Sequence, residues 1–110
     1  MDFIKTTEGN ICILAVVGRM DTLTAPEFEA KCAECAAEGA TRIVVDLSSL
    51  EYISSAGLRS ILASAKKLKA LGGGLSFCCL SGIVNEVFAV SGFSKLMPVF
   101  PTRQEALAKA

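Results

Sequence analysis

The chain has 110 residues, 52% hydrophobic and 20% charged, with 11 basic and 11 acidic side chains for a formal net charge of zero. That length makes one domain, the apolar content excludes a disordered chain, and the missing basic excess argues against nucleic acid as a partner. Histidine and tryptophan are both absent, which removes the commonest general base and the commonest zinc ligand.

Residues 3–7 read as a short edge strand. Gly9 and Asn10 signal a turn into Ile11-Cys12-Ile13-Leu14-Ala15-Val16-Val17, whose nearly continuous apolarity predicts a strand buried on both faces. Gly18 closes it, and Arg19-Met20-Asp21-Thr22-Leu23 is expected as loop. Thr24 is placed to cap a helix, with Pro26 near its start and Glu27 three residues on. This helix is expected to reach Glu38 and stop at Gly39, with Phe28, Cys32, Cys35 and Ala36 on one face.

Arg42-Ile43-Val44-Val45-Asp46-Leu47 is the next strand, and Tyr52-Ile53 reads as a strand end or an extended turn. Ser54-Ser55-Ala56-Gly57-Leu58 opens a second helix, with Leu58, Ile61, Leu62, Ala65 and Leu68 as its buried stripe. Lys66, Lys67 and Lys69 crowd its last turns, where cations suit the helix dipole and meet solvent. Gly72-Gly73-Gly74 lacks the Lys-Ser/Thr of a phosphate-binding loop and reads as a turn into a strand over 75–80. Ser81 is expected to cap a third helix over 83–91, with Ile83, Val87 and Val90 inward. A last strand at Val99-Phe100 and a terminal helix over 103–109 complete the chain.

Strands alternating with helices predict a single α/β domain over residues 1–110. Its mixed, mainly parallel sheet of four to five strands carries about four packed helices, and the first hairpin supplies an antiparallel edge. No apolar run reaches the roughly 20 residues that span a bilayer, and Met1-Asp2-Phe3-Ile4-Lys5 lacks the layout of a secretory signal. The expectation is a cytoplasmic chain without a membrane span.

Five cysteines, an odd number without a signal peptide, argue against a disulfide framework. Cys12, Cys78 and Cys79 lie in apolar runs and read as core. Cys32-Ala33-Glu34-Cys35 has no second ligand pair and no histidine to complete a metal site, so buried thiols are expected. No cofactor and no metal are expected. Ser55 as an enzymatic nucleophile would lack a base, and the Gly-x-Ser-x-Gly elbow is not met there, so no catalytic residue is expected.

The segment from Asp46 to Arg59 carries the functional signal. A buried strand ends, a short polar loop follows, and Ser54 and Ser55 stand at the mouth of a helix. Backbone N–H groups there are unpaired and partly positive, so a phosphate on such a serine is stabilised. From spacing alone, either serine also reads as an ordinary N-cap worth about 1 kcal/mol, and capping is the commoner use. Gly57 is expected to permit close approach of a partner's backbone. Asp21 opens the preceding helix from a neighbouring strand and is expected beside Ser55. It reads equally as a partner contact or as an Asx-turn residue.

These residues resemble the STAS domain, specifically the bacterial anti-sigma factor antagonists. Ser54-Ser55-Ala56-Gly57-Leu58 matches their Asp-Ser-x-Gly-Leu loop, with Ser54 in place of the usual Asp. Gly18-Arg19-Met20-Asp21 followed by Thr22-Leu23-Thr24-Ala25 matches their Gly-x-x-Asp loop. The strand end Asp46-Leu47-Ser48 and the helix end Ser91-Gly92-Phe93 also fit, so the resemblance spans essentially the whole chain. It implies a non-catalytic switch that binds an anti-sigma factor serine kinase when dephosphorylated. Phosphorylation at Ser55, or at Ser54 instead, releases it, and a metal-dependent serine phosphatase resets it. Asp21, Thr22, Ser54, Ala56, Gly57, Leu58 and Arg59 are the partner-binding residues it implies. Similar chains also brace lipid-transport ATPases, which makes a constitutive scaffold subunit the alternative.

Overall fold

Strand β2 (Ile11–Met20) organises the computed structural model, which describes residues 1–110. Its first half is held between two neighbours. β1 (Asp2–Glu8) pairs with it antiparallel from Asp2↔Val17 to Glu8↔Ile11, and β3 (Arg42–Asp46) pairs parallel from Ile11↔Arg42 to Ala15↔Asp46. The strand does not end at Gly18 as expected. Gly18 takes φ +112°, a conformation side chains resist, and the register shifts there. The chain bends and resumes pairing, now with β4 (Leu50–Ile53), so Arg19 and Met20 are strand and not loop.

The sheet has six strands in the order β1-β2-β3-β5-β6, with β5 (Gly74–Cys78), β6 (Val99–Phe100) and β4 attached to the far end of β2. Only the β1–β2 hairpin is antiparallel. Five helices accompany the strands, the last of them following β6: α1 (Ala25–Ala37), α2 (Ser55–Ala70), α3 (Gly82–Ser91), α4 (Phe93–Leu96) and α5 (Arg103–Lys109). The mainly parallel α/β architecture expected from the alternation is what forms, with one strand and one short helix more than counted.

Side chains alternate across each strand. Cys12, Leu14, Val16, Ile43, Val45, Leu47, Leu75 and Phe77 join the main core with Phe28 and Cys32 of α1, Ile61 and Leu68 of α2, and Val84 and Phe88 of α3. Val44 and Cys78 point the other way and meet Ala106 of α5. Cys79, expected in the core, is only half-buried, because the strand ends at Cys78 and the chain turns at the next residue.

The inward face of α3 differs from expectation. Ile83 and Val90 are exposed and Val87 is half-buried, while Val84 and Phe88 are fully buried. The helix carries two apolar stripes, and aromatic packing selects between them. Phe88 meets Phe77 edge-on at 5.4 Å and Phe93 at 5.8 Å. Such pairs add about 0.5–1.5 kcal/mol beyond area burial.

No helix is long and apolar enough to cross a membrane.

Candidate functional site

Strands β2 and β4 run parallel and finish together, Met20 opposite Ile53. The next residues, Asp21 and Ser54, therefore leave the sheet side by side, and the Ser54 amide donates to the Met20 carbonyl at 2.9 Å. One end of the sheet thus carries both loops.

Ser54 is in extended conformation at the N-cap of α2. Its Oγ accepts from the Gly57 amide at 3.2 Å, and its carbonyl accepts from Leu58 at 3.0 Å. The two serines consequently divide their duties. Ser54 is half-buried and closes the helix end, while Ser55 is exposed on the first helical turn. No acidic residue stands in that turn. Arg59, also exposed, lies four residues on from Ser55 and so shares its face.

Gly57 is buried, and the close approach it permits is to the chain's own β2. A Cβ there would lie 2.7 Å from Cγ1 of Ile53 and 3.1 Å from the Met20 carbonyl oxygen. Leu58 is half-buried against the main core, and Ala56 is half-buried beside it. Gly57 and Leu58 thereby fix how α2 leaves the sheet, which sets the direction of Ser55.

Asp21 forms the Asx-turn. Its Oδ1 accepts from the amides of Leu23 at 3.0 Å and Thr24 at 3.1 Å, and its carbonyl accepts from Ala25 at 2.8 Å. The Thr24 amide above all, with the Thr24 hydroxyl and Leu23 amide, holds the Asp21 carboxyl below its usual range. Thr24 occupies the N-cap position of α1 as expected, but its side chain caps no downstream amide. Its hydroxyl turns back, accepting from the Asp21 amide at 2.9 Å and donating to the Arg19 carbonyl at 2.7 Å.

This cross-bonded turn presents Thr22 and Leu23 to solvent, with Leu23 86% exposed. Behind it the Arg19 guanidinium sits 4.4 Å over the Tyr52 ring, bridging β2 and β4. Neither Leu23 nor Arg19 stands out in the sequence as a site residue. An apolar residue between two loop threonines was the available signal for Leu23. The Arg19–Tyr52 pairing depends on the register after Gly18.

Cys32 and Cys35 face inward from α1. Cys35 meets Cys12 of β2 with its sulfur 2.9 Å away, so the Cys-x-x-Cys spacing does not bring its own two residues to a shared ligand. Burial pushes the Cys12 and Cys32 thiols up to about 12.

Comparison with known proteins agrees with this architecture. The STAS domain family model matches residues 2–106. BtrV of Bordetella bronchiseptica, provisionally designated an anti-sigma factor antagonist, is 42% identical over 96 residues, covering 87% of this chain and 83% of its own. A crystal structure from Thermotoga maritima, also provisionally designated an anti-sigma factor antagonist, superposes with a TM-score of 0.89. It has 20% identity and covers 97% of this chain and 92% of that one. The Bacillus cell fate determinant SpoIIAA in its phosphorylated form superposes with a TM-score of 0.72 at 23% identity, covering 98% of each chain. The chain belongs to the STAS domain family.

Proposed function

We propose that the chain is an anti-sigma factor antagonist, a non-catalytic switch whose state is set at Ser55. With Ser55 unmodified it binds an anti-sigma factor that is also a serine kinase. Phosphorylation of Ser55 by that kinase releases it, and a metal-dependent serine phosphatase restores the binding form. The 42% identity to BtrV supports the antagonist role, and SpoIIAA, with the same fold, has a phosphorylated form.

One observation carries the choice of residue. Ser54 spends its oxygen on the Gly57 amide, whereas Ser55 is exposed at the same helix mouth. A kinase reaching this end meets the Ser55 hydroxyl without first breaking a cap. Asp21, Thr22, Ser54, Ala56, Leu58 and Arg59 surround it as the partner-binding rim, and Gly57 acts from below by seating the helix.

The switch is electrostatic. A phosphate adds about −1.5 to −2 charges at a surface built to be neutral against its partner. Free α2 tolerates that charge, because its first amides and Arg59 stabilise an anion there. A close-packed partner loses binding through desolvation and repulsion. A penalty of about 3 kcal/mol weakens it more than a hundredfold.

The test is incubation with the serine-kinase anti-sigma factor and ATP, followed by intact mass and peptide mapping. One phosphate on Ser55, absent in Ser55→Ala and retained in Ser54→Ala, is expected. No phosphate under conditions where the kinase is active contradicts the proposal. Recovery of a lipid-transport ATPase in place of a kinase on affinity capture would favour a scaffold subunit.

A further inference from the structure

A second chemical cluster lies on the other face of the sheet, under α5. Asp46 ends β3, Cys78 ends β5, and the two are register partners. With Cys79 they bring one oxygen and two sulfurs within 4.8 Å of one another. Neighbouring residues of a strand point to opposite faces, so adjacent cysteines do not ordinarily converge. Cys79 escapes this rule because it is the one non-glycine residue with positive φ, at +63°. An ordinary strand end needs no such conformation, and strained backbone of this kind clusters at ligand clamps.

The surroundings suit a cation. Arg103 donates to Oδ2 of Asp46 from Nη2 at 2.7 Å and Nε at 3.2 Å, and the Ser48 amide donates to Oδ1 at 2.9 Å. Arg103 and Ser48, the latter through both its amide and its side chain, thereby fix the carboxylate in orientation as outer partners, and a metal at Oδ1 would take the place of the Ser48 side chain. Cys78 is fully buried, Asp46 nearly so, and half-buried Cys79 leaves an entrance. Two thiolates and a carboxylate carry three negative charges, which Arg103 and one divalent ion cancel. Without an ion, protonated thiols leave only the neutral Asp46–Arg103 pair.

We propose that Asp46, Cys78 and Cys79 bind one divalent cation of the zinc class, with Arg103 as the balancing charge. Sulfur-rich sets with one carboxylate favour zinc or cadmium over magnesium or calcium. Bonds of about 2.3 Å at tetrahedral angles put ligand sulfurs about 3.8 Å apart, within rotamer adjustment of this cluster. Both metal–sulfur bonds form as two thiol protons pass to solvent, and water takes the fourth position. The site faces away from α2, so it stands or falls independently of Ser55.

The test titrates the reduced, metal-stripped chain with cadmium ion, following the sulfur-to-cadmium charge-transfer absorbance and proton release. One ion per chain, two protons released and displacement by zinc ion are expected. Cys79→Ser, at a half-buried position, should keep the wild-type circular dichroism spectrum and bind at least tenfold more weakly. Cys32→Ala should bind as wild type. No charge-transfer band, or equal affinity in Cys79→Ser, overturns the site. So does loss of binding in Cys32→Ala, which would move the metal to the core thiols.

Discussion

The amide of Ser54 donates to the carbonyl of Met20 at 2.9 Å, and this bond joins the start of α2 to the strand end that carries Asp21. It closes the end of the parallel β2–β4 pair, whose strands are remote in sequence. Whatever moves the end of β2 therefore moves the mouth of α2. The surface around Ser55 is fixed by backbone pairing as well as by its own helix.

Gly57 tests that coupling. Gly57→Ala forces a methyl to within 2.7 Å of Ile53 and 3.1 Å of the Met20 carbonyl oxygen. Ile53 can shift slightly, but a strand carbonyl cannot. Overpacking of this kind costs about 1–3 kcal/mol. A lower urea midpoint with unchanged slope is expected, together with weaker partner binding. Wild-type stability would show that α2 is not seated on Met20.

Asp21 is a second, separable test. Asp21→Ala removes the acceptor for the Leu23 and Thr24 amides and should cost about 1 kcal/mol, the usual worth of such a cap. Asp21→Asn keeps an Oδ1 acceptor and should lose less. Chemical denaturation of both variants measures the order. If Asn costs as much as Ala, the carboxylate's charge matters more than the turn it forms.

The rotation of α3 is checked by a pair of substitutions. Phe88→Ala empties a fully buried site between Phe77 and Phe93 and should cost about 3–5 kcal/mol. Val90→Ser, at a 90% exposed position, should change stability by no more than about 0.5 kcal/mol. Thermal unfolding of the two variants decides which stripe faces the core.

Much of this was legible in the chain, where signals are local. A polar pair before Gly57-Leu58 and an apolar stripe marks a helix start, which puts Ser54 and Ser55 at its mouth. The continuation of β2 past Gly18 was not legible, since a glycine after an apolar run reads the same whether the strand stops or bulges. For α3, periodicity fits Ile83, Val87 and Val90 as well as Val84 and Phe88, and only Phe77 and Phe93 break the tie. The Asp46–Arg103 pair spans 57 residues and carries no local signature.

Stability should depend on pH at both ends of the range. Burial opposes the Asp46 carboxylate, but the Ser48 amide and the Arg103 guanidinium outweigh it and hold its pKa below the usual value. That contribution is present above the unfolded pKa of about 4 and lost as pH falls through the lower folded value. At the alkaline end, burial first of all raises Cys12, Cys32 and Cys78 from 9.0 to about 12. The unfolded chain ionises these thiols first. Stability is therefore full below about pH 9 and declines as pH rises toward the folded values. Unfolding midpoints of the metal-free chain across pH should show a neutral plateau with both shoulders. Asp46→Asn should lower the plateau, and Cys78→Ala should soften the alkaline fall.

The switch itself is most directly tested by calorimetric titration of the anti-sigma factor kinase with two forms of this chain, unmodified and phosphorylated at Ser55 alone. The account predicts tight binding of the first and at least hundredfold weaker binding of the second. Equal affinities would contradict it and leave Ser55 an ordinary exposed residue of the first turn of α2.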